Sequence, residues 1–177
     1  MTAANAGGAH VRAVETSTSA DAPPSIAAPA GTDRRARLQG TIESLVKLRL
    51  DVISAYCRLA GVSSLERHAG ERFDVRPGEL VRFCEKMVDY TAMGHFEIYQ
   101  RIIEGKERRS AVRETAADVY PAIAETTDYL VDFNDKYDDF DATPEEIEAL
   151  EGDIARLGEI IAIRAQLEDQ ILAALSR

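Results

Sequence analysis

Tryptophan is absent from the 177 residues, cysteine occurs twice and histidine three times. Two cysteines cannot form a disulfide framework. Cys57 and Cys84 each fall on an apolar helix face, so both read as small buried residues of a reducing compartment. No run of 18 apolar residues occurs, which excludes a transmembrane helix. The opening stretch, MTAANAGGAHVRAVET, lacks a charged segment followed by an apolar one, so no secretory signal is expected. A cytoplasmic location is the resulting expectation.

Motifs for metal, nucleotide and redox chemistry are missing too. There is no Cys-x-x-Cys, no Gly-x-Gly-x-x-Gly and no P-loop. Helical bundles often hold di-iron centres, which need Glu-x-x-His on two helices. The residue three before His95 is Ala92, and three before His68 it is Leu65. Asp89 and His95 stand six apart, on different sides of a helix, and do not make an acid–base pair. No metal, no cofactor and no catalytic residues are expected, and hence no enzyme.

What the chain has in excess is negative charge. Its net charge is −10. A nonspecific nucleic-acid binder is normally basic, so direct binding to DNA or RNA is disfavoured. Acidity can serve solubility alone, or it can draw the protein to basic surfaces. The charge is uneven. Residues 132–153 hold ten carboxylates against one base, Lys136, a net −9. Glu145 and Glu146 suit the dipole of a helix start, but the rest is either a solvated loop or an electrostatic docking edge.

Residues 1–33 are Ala, Thr, Ser, Gly and Pro with few large apolar groups, and read as a disordered tail. Residues 34–177 read as one helical domain, large enough for its own core. A first helix is expected from Arg34 to Leu59, with Leu38, Ile42, Leu45, Val52, Ile53, Tyr56 and Leu59 inward and Gly61 beyond its end. A loop containing His68 follows. A second helix opens at Pro77 and ends near Gly105. The cluster Lys106, Arg108, Arg109 and Arg113 reads as a solvated turn and helix start. A third helical stretch covers 110–137, where Pro121 should break or kink the helix, or start a new one. Thr143-Pro144-Glu145-Glu146 is a capping box that opens the last helix. No strand alternation appears. The fold expected is an all-α antiparallel bundle of four to five helices with a disordered N-terminal tail.

The second helix carries most of the functional information. At about 100° per residue, Leu80, Phe83, Cys84, Met87, Thr91, Gly94, Ile98 and Ile102 form one stripe, the expected core face. Gly94 there would let another helix approach. Asp89, Ala92, Phe96 and Ile103 fall near the opposite side, with Tyr99 between the two. A Phe outside the core stripe needs a second neighbour or a partner. His95, near the core stripe, reads as a hydrogen-bonded structural residue. On the last helix Arg164 and Glu168 stand one turn apart on the apolar seam. They read as an ion pair at the seam edge or a buried polar network joining helices, left at the margin as the stripe drifts to Ile160, Ile163 and Leu167.

Three segments resemble the Rsd/AlgQ family of bacterial sigma-factor regulators. They are LVKLRLDVISAYCRLAGV at 45–62, FCEKMVDYTAMGHFEIYQRI at 83–102 and IRAQLEDQIL at 163–172, with a weaker match through Tyr120-Pro121. The specific part is Val88-Asp89-Tyr90, Gly94-His95-Phe96 and Ile98-Tyr99. The resemblance implies an all-helical anti-sigma protein that binds region 4, the promoter-recognition domain of the primary sigma factor, as a monomer in a 1:1 complex. It also implies that Asp89, Phe96 and their neighbours on the second helix contribute to that surface, with Ala92, Tyr99 and Ile103 as further candidates. An alternative is a helical adaptor that docks its acidic stretch on another basic regulatory or metabolic protein.

Overall fold

The computed structural model describes residues 30–61 and 75–177. The expectations for residues 1–29 and for the loop holding His68 lie outside these. Among the described residues the chain is helical throughout, with no strand. Helix α1 spans Ala30–Leu59. Helix α2 spans Pro77–Met93 and passes directly into a π-helical segment, Gly94–Tyr99, and then into α3, Gln100–Ile103. Helices α4, Ser110–Lys136, and α5, Pro144–Leu175, complete an antiparallel bundle. Packing is closest between α4 and α5 and between α1 and α2.

Local chemistry sets most of the boundaries. Thr143 and Glu146 bond reciprocally, the Glu146 amide to Thr143 Oγ1 at 3.3 Å and the Thr143 amide to Glu146 Oε2 at 2.9 Å. Gly61 has φ 67°, the left-handed turn that a glycine beyond a helix end allows. Helix α1 begins at Ala30, so residues 30–33 belong to the helix and not to the tail expected to reach 33. Of the outcomes open at Pro121, a break or a new helix does not occur, since α4 runs through it. One missing donor is a smaller loss than the burial of α4 along α5, with Val119 and Ile123 buried on either side.

The core lies along the bundle axis. Leu45, Leu80, Phe83, Met87, Leu130, Leu150, Leu157 and Ile171 are essentially sealed from water. Each such side chain contributes about 1.5–3 kcal/mol. Phe83 meets Phe133 edge to face at 6.2 Å. Cys84 is buried and Cys57 half-buried, both as free thiols. In the basic cluster Lys106, Arg108 and Arg113 are exposed. Arg109 is tied down, donating to Glu107 and, at 2.8 Å, to the Leu175 carbonyl at the end of α5. The bond from Arg109 holds the Glu107 carboxyl down at about 2.

Candidate partner-binding face and the buried network beneath it

Helix α2, the π segment and α3 form a rod with two unlike sides. Outward stand Val81, Val88, Phe96 and Ile103, with Phe96 61% and Ile103 58% exposed. Asp89 is exposed beside Val88, and Ala92 is half-buried. A groove of about 550 Å³ separates α2 from the end of α4. Val81 and Val88 form its apolar wall, and Glu85, Asp89 and Asp138 give it negative charge. These residues combine apolar anchors with carboxylates, a surface suited to a partner that is both apolar and basic.

One expected member of this face stands elsewhere. Tyr99 is 3% exposed and cannot touch a partner. The reason is the π segment. The Gln100 amide bonds back to the His95 carbonyl, five residues earlier, where an α-helix would bond four back. The wider turn takes up roughly one extra residue, about 100° of rotation, which a uniform 100° wheel omits. Tyr99 thereby swings from the stripe margin into the core. His95, expected in a polar network, is exposed instead, its ring edge-on to Phe96 at 4.9 Å. Gly94 does not admit another helix. A Cβ there would stand 3.1 Å from the Tyr99 ring, within the same rod.

Beneath the face, Glu168 is 0% and Arg164 1% exposed. They are at the centre of the bundle and not at a seam margin. Ile160 is buried and Leu167 packs on the core, but Ile163 is exposed, and Ile161, Arg164, Glu168 and Ile171 stay inside. Charges can sit there because every helix layer supplies partners. Glu168 accepts a short hydrogen bond from the Tyr90 hydroxyl, one from Tyr99 at 2.7 Å, and one from Arg49 Nη2 at 3.1 Å. Arg164 Nε lies 3.0 Å from Glu168 Oε1, an ion pair without hydrogen-bond alignment. Arg164 Nη1 donates to Thr126 and Thr127 on α4 at 3.1 and 2.7 Å. Arg49 also reaches Asp169 at 2.5 Å.

The electrostatics follow from this burial. Burial pushes the Tyr90 and Tyr99 hydroxyls far above their ordinary range, and the charge on Glu168 pushes the same way. Burial works against the charged form of Arg49, but its bond to Asp169 and the charge of Glu168 outweigh it and raise its pKa. Arg49, Thr126 and Thr127 are absent from the sequence-based expectations, and Tyr90 enters them only within the family-like motif, with no role. The signal for Arg49 is positional. It falls between Leu45 and Val52 on the apolar stripe of α1, where a charged residue must either ruin the stripe or meet a buried counter-charge.

A sequence model of the Rsd/AlgQ family, described as regulator of RNA polymerase sigma(70) subunit, matches residues 29–176. The chain belongs to the Rsd/AlgQ family. The match covers all the helices described above. Among its relatives is the regulator of sigma D of Yersinia enterocolitica serotype O:8, 28% identical over 132 residues, covering 74% of this chain and 77% of the relative. The regulator of sigma D of Yersinia pseudotuberculosis serotype O:1b is 28% identical over 133 residues, 74% of this chain and 76% of the relative. The regulator of sigma D of Enterobacter sp. strain 638 is 27% identical over 144 residues, 80% and 84% of the two chains. No solved structure gives a significant match. Among the described residues no cluster of potential metal ligands occurs, and no helix is long and apolar enough to cross a membrane.

Proposed function

We propose that this chain is a cytoplasmic anti-sigma factor that binds region 4 of the primary sigma factor. The observation that carries the reading is the exposed Phe96, flanked by Ile103, Val88 and Asp89, in a family of sigma(70) regulators. Region 4 is a helix-turn-helix domain whose basic side chains contact the −35 promoter element. Asp89 and Glu85 offer carboxylates to such side chains, and Phe96 offers an apolar anchor. A region 4 held this way is unavailable both to core polymerase and to promoter DNA. Free sigma then falls by mass action, with no chemical step and no cofactor. A monomer in a 1:1 complex is sufficient.

Calorimetric titration of the purified chain with isolated region 4 tests the reading. Saturable 1:1 binding at micromolar affinity or tighter is expected. No heat at tens of micromolar overturns it. The net −9 stretch at 132–153 supports an alternative, an adaptor for another basic protein. Recovery of a different stoichiometric partner from lysate, without sigma, would favour that alternative.

A further inference from the structure

Phe96 and Tyr99 are three residues apart on one rod, yet the first faces solvent and the second faces the buried Glu168. Three residues of α-helix turn about 300°, which would leave Phe96 only about 60° from Tyr99. With Tyr99 fixed on Glu168, Phe96 would then lean back toward the core. The wider π turn opens that angle to roughly 110°. The exposed apolar residues record the same extra residue. Val81 to Val88 is seven, Val88 to Phe96 is eight, and Phe96 to Ile103 is seven. In uniform α-helix the eight-residue step would throw Phe96 about 80° out of line with Val88, and the two widened steps from Gly94 to Phe96 take back roughly half of that.

Two features hold the turn. One is the 2.7 Å bond from the Tyr99 hydroxyl to Glu168 Oε1. The other is the missing Cβ at Gly94, since any side chain there would meet the Tyr99 ring at 3.1 Å and its hydroxyl oxygen at 3.2 Å. π turns of a single loop are costly and recur at functional sites. We infer that Tyr99 and Gly94 are positioning residues for the partner surface: the π turn they hold aims Phe96 outward, so a bond buried on one side of the rod sets affinity on the other. This rests on the reading of the Phe96 face as the sigma-binding surface. A purely structural Tyr99 would give stability without controlling Phe96.

A double-mutant cycle separates the two roles. Isolated region 4 is titrated into the full chain carrying Tyr99→Phe, Phe96→Ala, and both. Tyr99→Phe keeps the ring and removes the bond, and should weaken binding about tenfold while unfolding stays cooperative. In the Phe96→Ala background the same change should alter affinity by less than about twofold, because the anchor it aims is gone. Wild-type affinity in Tyr99→Phe, or losses that multiply, would overturn the inference. If Tyr99→Phe does not fold, Gly94→Ala, which crowds the same ring, carries the comparison. A readout without partner is the NOE pattern across residues 94–99 in wild type and Tyr99→Phe. Loss of the five-residue spacing in the variant supports the latch, and an unchanged pattern refutes it. Failure of the wild type to bind region 4 would sink the proposed function alone, since the NOE pattern still decides the latch.

Discussion

Arg164 and Glu168 face each other one helical turn apart at the bundle centre, with Nε 3.0 Å from Oε1 and both side chains sealed from water. Such a pair is weak evidence for stability as a whole, but its halves are not separable. Glu168→Ala should destabilise the fold by about 3–5 kcal/mol, since it strands Arg164 without a counter-charge, leaves Arg49 only Asp169 and unpairs two tyrosines. Replacing Glu168 by Leu together with Arg164 by Met should recover much of that loss. Urea unfolding midpoints at constant slope are the measurement.

Alkaline stability should report the same network. The Tyr90 and Tyr99 hydroxyls are raised from an ordinary value of 10.0 by burial and by Glu168. A raised value means the unfolded chain gives up the proton first. The stabilisation is therefore complete below pH 10 and is lost as pH rises beyond it, at about 1.4 kcal/mol per pH unit for each tyrosine. Unfolding free energies between pH 9 and about 11 should fall less steeply in Tyr99→Phe than in the wild type. Equal slopes would mean that Tyr99 is not held neutral inside.

Binding should divide into a salt-sensitive and a salt-insensitive part. Charges on the acidic face attract before contact and are screened over about 10 Å at 0.1 M salt. Association with region 4 should slow steeply as salt rises, while Phe96→Ala should act mainly on dissociation. Loss of that anchor should cost about 2 kcal/mol or more, roughly thirtyfold in affinity. Stopped-flow association rates that do not change with salt would assign the net charge to solubility alone.

Two glycines of α5 should respond oppositely to alanine. A Cβ at Gly152 meets nothing within 4 Å, so Gly152→Ala should gain up to about 1 kcal/mol of helix propensity. A Cβ at Gly158 would stand 2.1 Å from the Tyr56 hydroxyl oxygen, which donates to the Ile154 carbonyl. Gly158→Ala should displace that ring and lose stability despite the same propensity gain. Paired thermal melts decide it.

The first 29 residues should be dispensable for folding. Their composition offers almost no large apolar side chain to a core. A chain beginning at Ala30, where α1 starts, should melt within a degree or two of the full chain. A large loss would mean that the tail packs on the bundle.

Features written in neighbouring residues are legible in the sequence. The Thr143–Glu146 box, the glycine turn after α1 and the stripe Leu80, Phe83, Cys84, Met87 depend on spacing alone, and each stands where the spacing puts it. The same wheel places Asp89, Phe96 and Ile103 away from the core stripe, but does not state that Phe96 stays outward while Tyr99 turns inward. Legibility ends where a residue answers to a distant helix. The π turn exists because Tyr99 has a bond to make on α5, and nothing between Gly94 and Tyr99 states that bond. Arg49 stands on the apolar stripe of α1, but nothing in its own helix states that its counter-charge is Glu168. Pro121 reads as a break because the loss of a hydrogen bond is local, whereas the packing that outweighs it is not.

The single carboxylate of Glu168 draws on α1 through Arg49, on α2 through Tyr90 and on the π segment through Tyr99, while its ion partner Arg164 draws on α4. Amphipathic helices can bury similar apolar area in several arrangements, including ones slipped by a turn or missing a helix. Each such arrangement leaves a charge in a dry interior with donors unspent. Partly assembled bundles thus lack a resting point, and the chain should fold and unfold as one unit.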